Sequence, residues 1–216
     1  MVESDRDHPT VAPLSAAILA GGRSSRMGTD KALLTLRPGG PPMAAIVASA
    51  LNRLSDDVFL VSPPRPQYAG VGAPLRPDLY GETGPLGGIA SAIAHARHDF
   101  CLVVSCDMPF VNVDLLRWMA QRPRNFDVLV PTLRGDSRQG RDVVFQTMHA
   151  IYGKGCLPAI ERNLRDGRLQ TVAFFDEVVV ETVDETEVRR FDPELRSLFS
   201  VNTPEALAQA RRWAQR

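Results

Sequence analysis

A glycine- and arginine-rich stretch follows the first apolar segment of the chain. It reads LAGGRSSRMGTDK over residues 19–31 and contains Arg23, Arg26 and Lys31. Glycines allow backbone N–H groups to approach phosphate oxygens closely, and the arginine and lysine side chains add positive charge. Lys31 and Lys154 are the only lysines among 25 basic residues, so a lysine at this place is not background composition. The stretch predicts a phosphate-binding loop, although it is neither a G-x-G-x-x-G fingerprint nor a Walker A sequence.

Two acidic residues stand at comparable places further along the chain. Asp107 comes just after the apolar run FCLVVS (100–105) and before Met-Pro. A carboxylate there is suited to hold Mg²⁺ against a triphosphate, whereas the alternative is an aspartate that caps the next turn ahead of Pro109. Asp78 precedes the glycine-rich segment 84–88 and could accept hydrogen bonds from a base or a sugar, but ordinary turn chemistry explains it equally well.

The composition of the chain and its lack of several known motifs argue against some classes of function. The 25 basic and 25 acidic side chains balance, which argues against a general binder of nucleic acid or anionic membranes. No apolar run approaches the roughly 18 residues of a membrane span, so we predict no membrane partner. Three cysteines without CxxC or zinc spacing favour a reducing, cytoplasmic location. The histidines lack metal-ligand spacing and no GxSxG or HExxH motif occurs, which disfavours hydrolytic nucleophile chemistry.

Apolar runs alternate with segments of helical spacing, and these elements must position the candidate residues. Strands are predicted over 14–20, 57–62, 100–105 and 127–131, and helices over 43–54, 86–96, 113–122, 157–167 and 203–216. Extended structure is predicted over 143–152, 171–175 and 177–183, and Thr203 is the predicted cap of the last helix. We therefore predict a flexible leader over 1–13 and one doubly wound, Rossmann-like α/β domain over 14–216 with a mostly parallel central sheet. Ligands bind beyond the carboxyl ends of the strands in such sheets, where the three candidate features fall.

Four motifs resemble the nucleotidyltransferase family in order and spacing. They are LAGGRSSRMGTDKALL (19–34), GPLGGI (84–89), CDMPF (106–110) and SVNTPEAL (200–207). Within that family the chain is most similar to the molybdenum cofactor guanylyltransferases, whose second half the segment HAIYGKGCLPAIERNLRDGR (149–168) also resembles. The resemblance covers nearly the whole chain from about residue 15. It implies a fold of the nucleotide-diphospho-sugar transferase type and transfer of GMP from Mg-GTP to the phosphate of molybdenum-bearing molybdopterin, with release of pyrophosphate.

The resemblance also implies roles for residues at the matching positions. Lys31, Asp107 and Arg26 would form the catalytic set, with Asp107 holding the Mg²⁺ ion. The substrates would be bound by Leu19, Ala20, Gly21, Gly22, Arg23, Lys31, Ser62, Asp78, Asp107 and Asn202. In that set Asn202 would lie near the pterin, and Asp78 would lie against GTP. Two positions depart from the family pattern, because Ser62 and Ser200 stand where asparagines are often found.

The mechanics of the reaction agree with this set of residues, although two alternatives remain open. The second pKa of a phosphate monoester is about 6, so the acceptor is mostly ionised at neutral pH and needs no histidine base. The reaction instead requires positive groups that reduce the repulsion between the triphosphate and the acceptor phosphate. One alternative is cytidylyl transfer to a related pterin, or other nucleotidyl transfer to a sugar phosphate. The other is a non-catalytic GTP-binding adaptor. Transient contact with molybdenum cofactor synthesis or client enzymes is compatible with an enzyme and with an adaptor.

Overall fold

The computed structural model describes residues 13–20, 30–81, 83–135 and 142–215. Within these ranges the strands are β1 Ser15–Leu19, β2 Val58–Val61, β3 Leu75–Arg76, β4 Phe100–Ser105, β5 Val128–Arg134, β6 Val143–Phe145, β7 His149–Gly153 and β8 Val180–Val183. The helices are α1 Met43–Leu51, α2 Gly84–His95, α3 Val113–Ala120, α4 Leu157–Arg165, α5 Glu185–Arg189 and α6 Pro204–Ala214. Residues 1–12 of the predicted leader lie outside the described residues, so the division at residue 13 stays a prediction. None of the described helices combines the length and the apolar character that a membrane crossing requires.

The strands form one mixed sheet whose first half is parallel. Strand β1 pairs in parallel with both β2 and β4, and β2 pairs in parallel with β3. Strand β7 pairs antiparallel with β4 and with β5, whereas β8 pairs in parallel with β5. The predicted α/β fold with a mostly parallel central sheet is confirmed. The chain leaves β1 for β2 on one side and returns to β4 on the other, which creates a crevice beyond the carboxyl ends of β1 and β4.

Alternate residues of the buried strands supply the two halves of the core. Ile18 of β1 packs on the sheet face that is covered by α1 and α3, where Val47 and Leu115 lie. Ala17 points to the opposite face and packs with Ile89 of α2. Because both faces of the sheet are covered by helices, β1 is buried along its whole length. This burial explains why its sequence is a continuous apolar run.

Two of the predicted extended segments fold differently. The segment 143–152 is divided into β6 and β7 by a turn in which the His149 N–H donates to the Gln146 carbonyl at 2.9 Å. The prediction of extended structure over 171–175 is wrong, because these residues form a turn that leads into a 3₁₀ turn at Phe175–Glu177. Phe174 and Phe175 both pack against the same core cluster, with ring centroids 5.2 Å apart. A strand would send two consecutive side chains to opposite faces, so burial of both rings on one side requires a turn.

Candidate active site

A cleft of about 400 Å³ lies beyond the carboxyl ends of β1 and β4. Its floor contains Ser105, Asp107 and Met108, which follow or end β4. One wall is formed by Leu19, Val61, Asp78, Gly84, Pro85 and Gly88. The opposite wall is formed by Phe145, Gln146, Thr147, Met148, Leu198, Ser200 and Asn202. The cleft therefore lies at the place that the α/β topology predicts, with walls that come from distant parts of the chain.

Lys31, Asp107 and Asn202 meet at this cleft. The Lys31 ammonium lies 3.4 Å from Oδ2 of Asp107 and donates to Oδ1 of Asn202. Nδ2 of Asn202 in turn donates to Oγ of Ser200 at 2.6 Å. Lys31 is separated from its two partners by 76 and 171 positions in the sequence. Tertiary structure thus joins the predicted phosphate-binding lysine, the predicted metal ligand and the predicted pterin-side amide into one polar cluster.

The position of Asp107 is fixed by its main chain. Its carbonyl oxygen accepts from the Val201 N–H at 2.8 Å, and the preceding Cys106 N–H donates to the Leu19 carbonyl at 3.0 Å. These contacts join the ends of β1 and β4 to the segment that carries Asn202. Asp107 does not cap the helix that follows, because Oδ1 of Asn112 accepts the N–H of Leu115 at the start of α3. The side chain of Asp107 contacts the Lys31 ammonium instead, and among the described residues no hydrogen bond joins it to the backbone of the turn ahead of Pro109.

The wall beside β1 is assembled by close packing and by one oriented carboxylate. A Cβ atom on Gly88 would lie 3.0 Å from Cδ1 of Leu19, so a larger residue would push the Leu19 side chain aside, whereas the glycine lets α2 approach the end of β1 closely. Oδ1 of Asp78 accepts the Ser91 hydroxyl of α2 at 2.8 Å. Ser91 is itself buried. This contact holds the half-buried carboxylate of Asp78 in the cleft wall, where a hydrogen-bonding group of a ligand can reach it.

The segment Phe145–Met148 of the opposite wall is the part of the site that the sequence did not predict. It depends on the turn after β6, in which the Tyr152 hydroxyl donates to the Thr147 carbonyl at 2.7 Å and the Ser105 N–H donates to the Met148 carbonyl at 3.1 Å. Phe145 precedes this turn and packs edge-on against Phe175 at 5.3 Å. The mostly apolar pattern predicts extended structure through 143–152, although Gln146, Thr147 and His149 interrupt it.

The remaining predicted site residues fall into two groups. Ser62 is fully buried outside the cleft lining, and its hydroxyl donates to the Pro63 carbonyl at 2.9 Å. Val61 lines the cleft in its place, so the structure does not bring the Ser62 hydroxyl to a ligand there. Ala20 follows Leu19 directly at the end of β1 and is also buried. The predicted residues that lie outside the described part of the chain are Gly21, Gly22, Arg23 and Arg26.

The titratable groups beside the cleft disfavour covalent catalysis by cysteine. Burial raises the pKa of the Cys106 thiol well above its ordinary value, and the neighbouring Asp107 carboxylate raises it further. A thiol that stays protonated is a poor nucleophile. All three cysteines of the chain are free and buried.

The chain is similar to a known protein family and to individual proteins along most of its length. The model of the MobA-like NTP transferase domain matches residues 16–181. A protein of Pelotomaculum thermopropionicum named probable molybdenum cofactor guanylyltransferase is 37% identical over 201 residues, which cover 93% of each chain. The molybdenum cofactor guanylyltransferase of Desulfosudis oleivorans is 31% identical over 199 residues, which cover 91% of this chain and 94% of that protein.

Solved structures show the same fold. Molybdopterin-guanine dinucleotide biosynthesis protein A from Archaeoglobus fulgidus superposes with a TM-score of 0.78 at 24% identity, covering 93% of this chain and 98% of that chain. The 2-C-methyl-D-erythritol 4-phosphate cytidylyltransferase of Thermus thermophilus superposes with a TM-score of 0.69 at 19% identity, covering 94% and 100%. These likenesses show the nucleotide-diphospho-sugar transferase fold. The family match over most of the chain and the relatives above 30% identity establish that this protein is a nucleotidyltransferase and belongs to the family of MobA-like NTP transferases.

Proposed function

We propose that the protein transfers GMP from GTP to the phosphate of molybdenum-bearing molybdopterin. An oxygen of the acceptor phosphate forms a bond to the α-phosphorus of GTP, and the bond between that phosphorus and the oxygen leading to the β-phosphate breaks. Pyrophosphate leaves with the electron pair. The observation that carries the proposal is the contact of Lys31 with both Asp107 on the cleft floor and Asn202 in the opposite wall.

The nucleotide fits the wall beside β1. The Asp78 carboxylate there can accept hydrogen bonds from a base or a sugar, since Ser91 fixes one of its oxygens. The tight approach of Gly88 to Leu19 leaves the start of α2 facing the cleft. The positive charge of Lys31 lies 3.4 Å from the Asp107 carboxylate of the floor, where it would neutralise the phosphates.

Asp107 is the residue that would hold Mg²⁺. Magnesium in phosphoryl-transfer sites is commonly bound by one or two carboxylates together with substrate phosphates and water, so a single carboxylate suffices. Asp107 is only 9% exposed and fixed by its main chain, which makes it a rigid oxygen donor. No group of three or more His, Cys, Asp or Glu side chains suited to a metal occurs among the described residues. When bound, the ion would neutralise charge on the triphosphate.

The acceptor fits the wall formed by Phe145–Met148, Ser200 and Asn202. The Phe145 ring is held by Phe175 and offers a flat apolar surface to a heteroaromatic ring system. The amides of Gln146 and Asn202 can exchange hydrogen bonds with the polar edge of such a ring or with the phosphate group. Because the turn is fixed by hydrogen bonds to Tyr152 and Ser105, this wall is built before the acceptor binds.

Cytidylyl transfer is the alternative that one observation keeps open. Ser62 stands where related proteins often carry a nucleotide-binding asparagine, and its hydroxyl is turned to its own backbone. Base selection must then depend on other groups of the same wall, including Asp78. The ion-paired Lys31 and Asp107 favour catalysis over the adaptor alternative, since binding alone does not require that pair.

Mg²⁺ dependence, a cytoplasmic location and transient contact with client enzymes are further parts of this proposal.

Pyrophosphate release tests the proposal directly. Purified protein is incubated with Mg²⁺ and either GTP or CTP, each with and without molybdenum-loaded molybdopterin. We expect release with GTP only when the pterin is present. Preference for CTP would move the protein to cytidylyl transfer, and binding of GTP without any release would favour the adaptor.

A further inference from the structure

The hydroxyl of Tyr68 joins two places in the chain that flank the glycine-rich stretch. Tyr68 ends a 3₁₀ turn at Pro66–Tyr68, and only 2% of its surface is exposed. Its hydroxyl donates to Oδ2 of Asp30 at 2.7 Å and lies 3.3 Å from the carbonyl oxygen of Ala20. Ala20 and Asp30 are the described residues on either side of positions 21–29. One buried hydroxyl therefore contacts both ends of the connection between β1 and Lys31.

Asp30 transmits this contact to Lys31. Its Oδ1 accepts the N–H of Ala32 at 3.1 Å and so caps the short 3₁₀ turn at Lys31–Leu33. Its Oδ2 also accepts from Nη1 of Arg65 at 2.7 Å. The side chain of Asp30 is therefore held from two directions while it orients the backbone from which Lys31 reaches Asp107.

Ala20 is fixed in the same way from the sheet. Its N–H donates to the Val61 carbonyl at 3.0 Å, which joins it to the end of β2. Tyr68 lies seven residues after Val61 on the segment that leaves β2. Burial raises the pKa of the Tyr68 hydroxyl, and the Asp30 carboxylate raises it further, so the group stays a protonated donor. The contact is a neutral donor to a carboxylate, which is stronger than a bond between neutral groups.

We propose that Tyr68 is a positioning residue for the nucleotide. Its hydroxyl sets the Ala20 carbonyl and the Asp30 carboxylate at a fixed separation, and Asp30 carries that constraint to Lys31. The inference rests on the nucleotide site of the proposed function, and concerns how that site is held in its working geometry. Misplacement of a positioned group by about 1 Å can lower a rate by about 100-fold.

Tyr68→Phe is the test, because it removes the hydroxyl and keeps the ring in the core. Tyr80→Phe is the matched control, since it removes a hydroxyl that donates to Oε1 of Glu161 at 2.6 Å on α4. Affinity for Mg-GTP, kcat, the KM for each substrate and the Tm are measured for both variants. We expect kcat/KM for GTP to fall by about 10- to 100-fold in Tyr68→Phe alone. The KM for the pterin acceptor and the loss of Tm should match those of the control.

A double-mutant cycle with Asp30→Ala checks the transmission step. If Tyr68 acts through Asp30, the double variant should lose no more GTP affinity than Asp30→Ala alone. Additive losses, or a Tyr68→Phe variant within about twofold of the wild type in GTP affinity and turnover, would overturn the proposal. If the wild type binds GTP but transfers nothing, the proposed reaction is refuted. The GTP affinity of Tyr68→Phe relative to that of the wild type still decides the role of Tyr68. A wild type without nucleotide affinity would overturn both.

Discussion

Replacing Lys31 by methionine should have opposite effects on metal affinity and on turnover. The Lys31 ammonium lies 3.4 Å from the oxygen of Asp107 that would bind the metal, and the side chains of the pair are 22% and 12% exposed. A divalent ion on that oxygen, at about 2.1 Å, would lie at most about 5.5 Å from the ammonium. Methionine removes the positive charge and nearly preserves the length of the side chain.

The magnitude follows from Coulomb's law. Charges of +1 and +2 separated by about 5.5 Å repel by about 1.5 kcal/mol even with the dielectric constant of water, and by more in a partly buried site. An energy of about 1.5 kcal/mol corresponds to roughly tenfold in affinity. In the absence of nucleotide, Lys31→Met should therefore bind Mn²⁺, used as a spectroscopic probe for Mg²⁺, at least about tenfold more tightly than the wild type. Its kcat/KM for GMP transfer should fall by the equivalent of about 2–4 kcal/mol, because the phosphates lose a positioned charge.

Mn²⁺ titration followed by electron paramagnetic resonance measures the first effect, and pyrophosphate release measures the second. Lys31→Arg keeps the charge and should retain an Mn²⁺ affinity near that of the wild type. The double variant Lys31→Met/Asp107→Asn should show no gain, since the carboxylate that holds the ion is absent. Unchanged or weaker Mn²⁺ binding by Lys31→Met would refute the idea that the ammonium and the metal compete for Asp107.

Three further predictions address the floor, the acceptor wall and the core. Asp107→Asn should abolish Mg²⁺-dependent pyrophosphate release, and a variant with near-wild-type turnover would remove Asp107 from the metal site. Phe145→Ala should raise the KM for the pterin about tenfold while the KM for GTP stays constant, because one base–aromatic stack contributes about 1–3 kcal/mol. Val143→Ala is the control, since Val143 lies on the same strand but outside the cleft lining. Equal effects in both variants would show that the wall containing Phe145 does not bind the acceptor. Burial lowers the pKa of His149 to about 4, and the opposing effect of the Asp192 carboxylate is smaller. Between about pH 6.5 and 4 the imidazole therefore binds a proton in the unfolded chain but not in the folded protein. The free energy of unfolding should fall by about 3 kcal/mol as the pH decreases through that window. Urea unfolding of His149→Leu should show a much weaker pH dependence there, and an unchanged slope would assign the acid sensitivity to other groups.

Local sequence patterns predicted most of the helices and strands, and the edge of the sheet at which the candidate site lies. Nearly continuous apolar runs marked β1, β2 and β4, because strands covered on both faces disfavour polar residues. Thr203 was identified as a cap by its position before Pro204, and its hydroxyl does accept the Ala206 N–H at 3.1 Å. These features depend on interactions within a few residues, so local sequence is enough to predict them.

Contacts between distant segments were decided only by the tertiary structure. The sequence contains Lys31, Asp107 and Asn202 but not the distances between them, which depend on how β1, β4 and the segment before α6 pack together. Local pattern also misassigned residues 171–175, since burial of Phe174 and Phe175 on one face outweighed their preference for a strand. The wall formed by Phe145–Met148 and the contact between Tyr68 and Asp30 also depend on residues that are distant in the sequence. Each depends on a turn or a buried hydroxyl whose partner is chosen by packing of the whole domain, and no pattern within a short window of sequence specifies that partner.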